Sequence, residues 1–317
     1  MSLKNIRLDL SHIVEKDPFW ISHLKYSPIK SIIQSGKTYH LIFLLEDVFG
    51  FKKSNPMISN IKQFHYKDKS IDNIFKELKE SSKKIAKIDK NDNDEILQVL
   101  SILAKINHFK VYNKKYIDLL IKEIIKTNLI EKTSILKYQA MLIFFINRLG
   151  YRNIFLDKFL KNIENLQNSD GGWAFDISKA SDFRETDVFS TLIIYRVFVE
   201  NNLWRNKKFL LKAESFLLEN HLSEKQNNED LDRWSRIYIG YKKNNLFEGG
   251  TILLLEALLI NANRQNQNKI KSIINWLKDL QLKNGYFPYH SALSNQENTS
   301  STIKALSLIK KYYISLD

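Results

Sequence analysis

The stretch that decides the fold reads Asn165-Leu166-Gln167-Asn168-Ser169-Asp170-Gly171-Gly172-Trp173. A weaker copy near the C-terminus reads Asp279-Leu280-Gln281-Leu282-Lys283-Asn284-Gly285-Tyr286-Phe287. Each copy ends a predicted helix and opens a loop, and an apolar helix headed by Ser190-Thr191 or Ser301-Thr302 follows. This repeat of helix, loop and helix indicates stacked hairpins, because one hairpin cannot bury its apolar face alone.

The residue types of the motif indicate a structural role. Gln can hydrogen-bond carbonyl groups that lack partners at a helix end, and glycine turns the chain. The aromatic residue fills the gap between adjacent hairpins. We therefore predict that Trp173 and Phe287 are buried between hairpins.

Apolar residues spaced by three or four positions predict twelve alternating helices. The predicted outer helices are 21–34 (interrupted by Pro28), 71–88, 113–128, 154–167, 206–222 and 267–282. The more apolar inner helices are predicted at 37–48, 94–107, 134–148, 189–199, 250–261 and 301–313. The sequence thus predicts an all-α fold without a sheet, an (α/α)6 barrel (toroid) of six helical hairpins. We expect a single toroid domain over 1–317, with 1–20 as an N-terminal extension.

The two loops resemble the QW repeat of squalene-hopene cyclases, oxidosqualene cyclases and protein prenyltransferase β subunits. In that repeat an aromatic-aliphatic pair precedes Gln, and Gly-x-Trp follows. Trp276-Leu277 stands before Gln281, with Phe287 in the Trp place, whereas Ile163 stands before Gln167. The resemblance implies the α/α-toroid superfamily of terpenoid cyclases and prenyltransferases, with an isoprenoid substrate in the barrel lumen.

In such a barrel the inner helices start at one mouth, where unpaired N–H groups favour carboxylates and phosphates. At one of these starts, Asp92-Asn93-Asp94-Glu95 is similar to the acidic motif of class II terpene cyclases. The resemblance implies that Asp94 donates the proton that begins cyclisation, with Asp92 and Glu95 tuning it. Clustered carboxyl groups suit this role because like charges keep a proton on one of them. Helix capping explains the same residues, and that interpretation stays open.

A second helix start presents Glu185 and Asp187, beside Asp182 and Arg184. We predict that these two carboxylates contact the substrate. Aromatic side chains near the mouth can stabilise carbocations through their π faces. The aromatic residues predicted to do so are Phe189, Trp234 and Tyr289. Capping and packing between hairpins are again the alternatives.

The composition excludes several kinds of site. The chain has no cysteine, so it has no disulfide and no thiolate zinc site, including the zinc site of prenyltransferase β subunits. Seven histidines show no metal-binding spacing. We predict no metal and no cofactor, except that a diphosphate substrate would recruit Mg²⁺.

The net charge of +14 favours anionic partners. The lysines are spread along outer helices, so we expect solvated faces and no nucleic acid. No secretory signal is evident, and we expect a cytoplasmic protein, with peripheral membrane contact and oligomeric state left open.

Two function classes follow. The first is a terpenoid cyclase-like enzyme that cyclises an isoprenoid (prenyl) substrate by acid-initiated carbocation chemistry. The alternative is a catalytically inactive toroid that serves as a binding or partner subunit in a biosynthetic pathway. An apolar lumen with a carboxyl pair at its mouth favours the first, and a lumen filled by large side chains favours the second.

Overall fold

The computed structural model of the protein describes residues 3–13, 19–111, 113–151, 154–178, 185–221, 228–237, 240–241, 246, 249–261, 266–292 and 296–315. Its α-helices are α1 Leu3–Ile13, α2 Ile29–Ser35, α3 Thr38–Phe43, α4 Pro56–His65, α5 Lys69–Lys84, α6 Asn93–His108, α7 Lys114–Lys126, α8 Leu136–Arg148, α9 Ile154–Asn165, α10 Val188–Glu200, α11 Lys208–Asn220, α12 Asn228–Ser235, α13 Gly250–Asn261, α14 Gln267–Asp279 and α15 Thr299–Ile314. Short 3₁₀ turns occupy Phe19–His23, Ile85–Lys87 and Leu129–Lys132, and a π-helical segment, Leu44–Val48, extends α3.

The mostly helical structure confirms the all-α prediction. Eleven of the twelve predicted helices have a counterpart within a few residues. The predicted helix 21–34 is helical as α2 only after Pro28, and α1, α4 and α12 were not predicted. The prediction of no sheet is wrong in one place. Strands β1 (Trp173–Ala174) and β2 (Thr186–Asp187) pair in antiparallel fashion, with Trp173 opposite Asp187. Strands of two residues are too short to produce an alternating pattern in the sequence.

The chain divides into two compact units. Unit 1 comprises Met1–Asp72, Ser235–Ile239 and Ala262–Asp317, and unit 2 comprises Asn73–Trp234 and Gly240–Asn261. The single toroid domain over 1–317 stays a prediction.

Four helices of unit 2 that were predicted as inner helices are neighbours: α6, α8, α10 and α13. Helix α8 packs against α6 and α10, and α10 packs in turn against α13. Every residue from Phe189 to Val199 is buried, as is every residue from Gly250 to Leu258. A helix that is apolar on all sides must be enclosed by other elements, so these two helices form the centre of the unit.

Unit 1 is organised around α15, which packs against α3, the π-helical segment and the Phe19–His23 turn. The rings of His23 and Tyr313 stack at a centroid distance of 3.7 Å. Helix α1 packs against α2 and α4, and its Ile6 and Leu10 are buried. Part of the predicted N-terminal extension therefore contributes to the core of this unit.

The first repeat loop confirms the burial of its aromatic residue. Trp173 has no exposed surface, and its backbone N–H donates to Thr191 Oγ1 at 2.9 Å. The Gln167 amide donates to the carbonyl oxygens of Gly171 (2.7 Å) and Phe209 (3.0 Å). Gln167 thus joins its own loop to the start of α11, instead of binding the end of its own helix.

The second loop repeats these contacts in unit 1. Phe287 is also fully buried, and its N–H donates to Thr302 Oγ1 at 2.9 Å. The Gln281 amide donates to the carbonyl oxygens of Gly285 (2.9 Å) and Tyr26 (2.7 Å). The same side chains perform the same tasks in both copies, so the sequence repeat is a structural repeat.

Candidate functional site

The start of α10 is fixed by its cap. The Asp187 carboxylate accepts a hydrogen bond from the N–H of Ser190 at 2.5 Å, which satisfies a donor that the helix leaves unpaired. Pairing of β2 with β1 fixes the residues just before the cap. Phe189, in the first turn, is buried.

Two aromatic rings cover the start of α13. The ring centroids of Phe189 and Trp234 are 5.1 Å apart, and both side chains are almost fully buried. A Cβ at Gly250 would lie 2.6 Å from the Trp234 ring and 2.9 Å from the Phe189 ring. Glycine is therefore required here, because any larger residue would push the aromatic pair off the helix.

Two cationic side chains accompany the aromatic pair. The Arg233 guanidinium lies 3.7 Å from the Phe189 ring centroid, within cation–π range, and forms a 3.7 Å ion pair with Asp230. Lys137, half-buried in the first turn of α8, has its pKa lowered to about 8. Burial is the main cause, the charge of Arg233 adds to it, and Asp187 opposes it.

We call Lys137, Asp187, Phe189, Arg233 and Trp234 the helix-head cluster. It combines two cations with two aromatic rings at the starts of α8, α10 and α13. Helix N-termini and cations both favour anions, whereas the two buried rings serve as packing against the start of α13. A lysine with a lowered pKa at such a position is a frequent mark of a functional site.

The sequence predicted three members of this cluster and missed two. Asp187, Phe189 and Trp234 were predicted as substrate contacts. Phe189 and Trp234 pack against each other, and the substrate-binding role of all three stays a prediction. Lys137 and Arg233 were missed because their sequence neighbours carry no motif. The position of Lys137 at an inner-helix start was a signal that could have identified it.

Two further residues, Glu185 and Tyr289, were predicted to contact the substrate. Glu185 is exposed two residues before the α10 cap, and Tyr289 belongs to unit 1, where its carbonyl accepts from Ile237. Asp182 and Arg184 lie outside the described residues. The contacts predicted for Glu185 and Tyr289 stay predictions.

The acidic residues at the start of α6 include a helix cap. Asp92 accepts a hydrogen bond from the N–H of Glu95 at 3.2 Å. Asp94 is exposed, and Glu95 accepts a 3.3 Å hydrogen bond from Gln98. The capping interpretation is thus confirmed for Asp92, and the catalytic role of Asp94 stays a prediction.

The α6 cap yields a test of this assignment. We expect Asp92→Ala to lower the free energy of unfolding by about 1 kcal/mol, because an N-cap hydrogen bond is lost. Asp94→Asn, at an exposed position, is expected to change it by less than about 0.5 kcal/mol. Urea unfolding of both variants measures the difference, and equal losses would contradict the assignment.

A cavity of about 570 Å³ lies in unit 2 near the starts of α6 and α8. Its lining includes the polar residues Asn91, Ser134, Gln139, Asn162 and Asn165. None of the three acids of the α6 start lines it. Of the described residues that line it, Glu131 alone is acidic, so they do not supply the carboxyl pair that acid-initiated cyclisation requires.

Unit 1 contains a histidine next to a serine that is not an activated nucleophile. His40 Nε2 lies 3.1 Å from Ser300 Oγ, and the N–H of Lys37 donates to His40 Nδ1. The ring proton must then reside on Nε2, which donates to Ser300 and cannot take its proton. Burial, aided by the charge of Lys37, lowers the pKa of His40 to about 4, so the ring is neutral at pH 7.

Among the described residues, no group of three or more His, Asp or Glu side chains is placed to hold a metal ion. No helix in this part of the chain is long and apolar enough to cross a bilayer.

Comparisons with protein-family models, curated proteins and solved structures found no match to the chain.

Proposed function

We propose that the helical hairpins close into an (α/α)6 toroid of the terpenoid cyclase type. Gln167 binds the start of α11, the outer helix of the next hairpin, through Phe209. Gln281, in the last hairpin, binds Tyr26, which precedes α2 in the first hairpin. The last hairpin thus contacts the first through the same kind of bond that joins two consecutive hairpins. This equivalence supports closure of the ring.

We further propose that the protein is a toroid that binds an isoprenoid diphosphate at the helix-head cluster without cyclising it. Lys137 and Arg233 pair with the diphosphate. Phe189 and Trp234 are buried, so they hold the helix starts in place and do not contact the prenyl chain. The proximity of Lys137 to Arg233 at the starts of α8 and α10 is the observation that carries the proposal. The charge of +14 is consistent with an anionic ligand.

Binding is favoured over cyclisation by the surroundings of the predicted acid. A proton donor for an alkene needs a site that excludes water, whereas Asp94 is exposed. Phe189, at the start of α10, and Trp234, in α12, are buried and packed against each other. Acid-initiated cyclisation with Asp94 as the donor is the competing hypothesis.

Titration calorimetry with farnesyl diphosphate and with inorganic diphosphate tests the proposal. We expect Lys137→Gln to weaken both by ~10–100-fold, because a hydrogen bond to a charged group contributes about 1.5–3 kcal/mol. Lys158→Gln removes the same charge from an exposed position of α9 and is the matched control. An unchanged affinity of Lys137→Gln would refute the site.

Mass spectrometry of the same mixtures separates binding from catalysis. The proposal expects farnesyl and geranylgeranyl diphosphates to be recovered intact. A cyclised product that Asp94→Asn fails to form would establish the cyclase hypothesis instead, since removing an acid catalyst lowers the rate by ~10²–10⁴.

The lowered pKa of Lys137 predicts how binding depends on pH. At pH 7 the ammonium of Lys137 is protonated and pairs with the diphosphate. As the pH rises through about 8, the free protein loses this charge, so affinity falls by up to ~10-fold per pH unit. Lys137→Arg, which stays charged, should remove this dependence. A decline of equal size in that variant would contradict the assignment.

A further inference from the structure

Four buried or half-buried charges form a closed group at the far ends of the inner helices of unit 2. Arg148 and Arg196 each contact both Glu200 and Glu256. The Arg148 guanidinium holds Glu200 through its Nε (3.1 Å) and Nη2 (2.7 Å). Two positive and two negative charges balance, so this group has no net charge.

Glu200 remains ionised within the group. Burial raises its pKa, but the charges of Arg148 and Arg196 and the hydrogen bonds from Arg148 outweigh that effect and hold the pKa below its usual value. The charge balance of the group is therefore fixed at neutral pH.

A cavity of about 290 Å³ adjoins this group. It is lined by Asn147, Arg148, Glu200, Asn201, Arg205 and Ile260. Its volume is close to the lower end of the ~300–1,000 Å³ range of small-molecule sites.

Arg205 also lines the cavity, and it forms no ion pair with the neutral group. It therefore adds one positive charge to the cavity wall. Its Nε donates to the carbonyl of Val199 at 2.8 Å and so fixes the side chain against the end of α10. Within the described residues, no acceptor contacts its two terminal nitrogens. A half-buried guanidinium with two parallel donors is suited to bind a carboxylate.

We infer that this cavity binds a small organic acid through its carboxylate, with Arg205 as the pairing cation. One negative charge neutralises the single positive charge of the wall, whereas a phosphate dianion would leave an uncompensated charge. The ends of α8 and α10 present carbonyl groups that repel anions, so binding depends on Arg205. The amide groups of Asn147 and Asn201 add donors, and Ile260 contacts the apolar part of the acid.

Titration calorimetry at pH 7 and constant ionic strength, with sodium butyrate, sodium phosphate and butylammonium chloride as probes, tests this inference. We expect saturable 1:1 binding of butyrate only. Arg205→Gln should weaken it by at least ~10-fold. Lys208→Gln, which removes the same charge from an exposed position nearby, should weaken it by less than about twofold.

The wild-type titration decides the outcome even if a variant folds poorly. A site of this kind is expected to have a Kd of about 1 mM. If butyrate showed no saturable binding up to about 50 mM, the inference would be overturned. Binding of phosphate in preference to butyrate would overturn the assignment to a carboxylic acid. Arg205→Lys keeps the charge but loses the paired donors, and an affinity equal to wild type would exclude the proposed geometry.

Discussion

Trp173→Ala is expected to lower the free energy of unfolding by about 3–5 kcal/mol, because it removes a fully buried large aromatic side chain. The indole N–H donates to the carbonyl of Ile163 at 2.7 Å, and the ring packs near Phe198 and Phe209. The variant therefore loses contacts to α9, α10 and α11 together. Urea unfolding monitored by circular dichroism measures the loss.

Trp204→Ala is the matched control for this prediction. Trp204 is half-buried, and its indole N–H reaches Asp157 only at 3.3 Å. We expect it to cost less than half as much as Trp173→Ala. If Trp173→Ala remained stable but changed ligand binding, Trp173 would belong to a binding site and not to the scaffold.

The repeat loops show why this part of the fold was predictable from the sequence. Trp173 needs a threonine partner, which Thr191 supplies 18 residues later, and Thr302 does the same for Phe287 after 15 residues. Such constraints appear twice in the chain and so reveal the hairpin. The partners of the Gln side chains were not predictable, because Phe209 and Tyr26 contribute backbone carbonyls, which any residue type has.

The short helix α12 was not predicted, and this omission also concealed Arg233. Its apolar periodicity spans only two turns, so the pattern is too brief to be distinguished from a loop. Trp234 was singled out as an aromatic residue, but its neighbour Arg233 was not. The position of the arginine over Phe189 depends on tertiary packing and has no sequence signature.

The lysines show that the sequence also does not reveal which charged residue is buried. Most of the basic residues indicated solvated outer faces, and Lys137 looks like any of them in the sequence. Its pKa differs because the start of α8 is partly enclosed and lies near Arg233. The charge pattern of a sequence indicates which faces are exposed to solvent. It does not show which charged side chain becomes buried on folding, and it is burial that shifts the pKa.

Arg196 is a charged side chain that is almost completely buried. Its side chain is 1% exposed, and its Nε and Nη1 have no hydrogen-bond partner in the described part of the chain. It forms ion pairs with Glu200 and Glu256. Within the neutral group, Arg148 is the other cation that contacts these two carboxylates. Buried charges of this kind contribute less than their number suggests, but removing one of them leaves another uncompensated.

Arg196→Met is therefore expected to lower the free energy of unfolding by about 3–5 kcal/mol, since two carboxylates then face one guanidinium in the core. Adding Glu256→Met restores the balance of charge and should recover most of the loss, which a double-mutant cycle measures. The loss in the single variant should shrink as the pH falls from 8 toward 5. Without Arg196, burial raises the pKa of Glu200 against Arg148 alone, so the folded variant takes up a proton that the unfolded chain does not. If the double variant were as unstable as the sum of the two single variants, the charges would act independently and the neutral group would have no role as a unit.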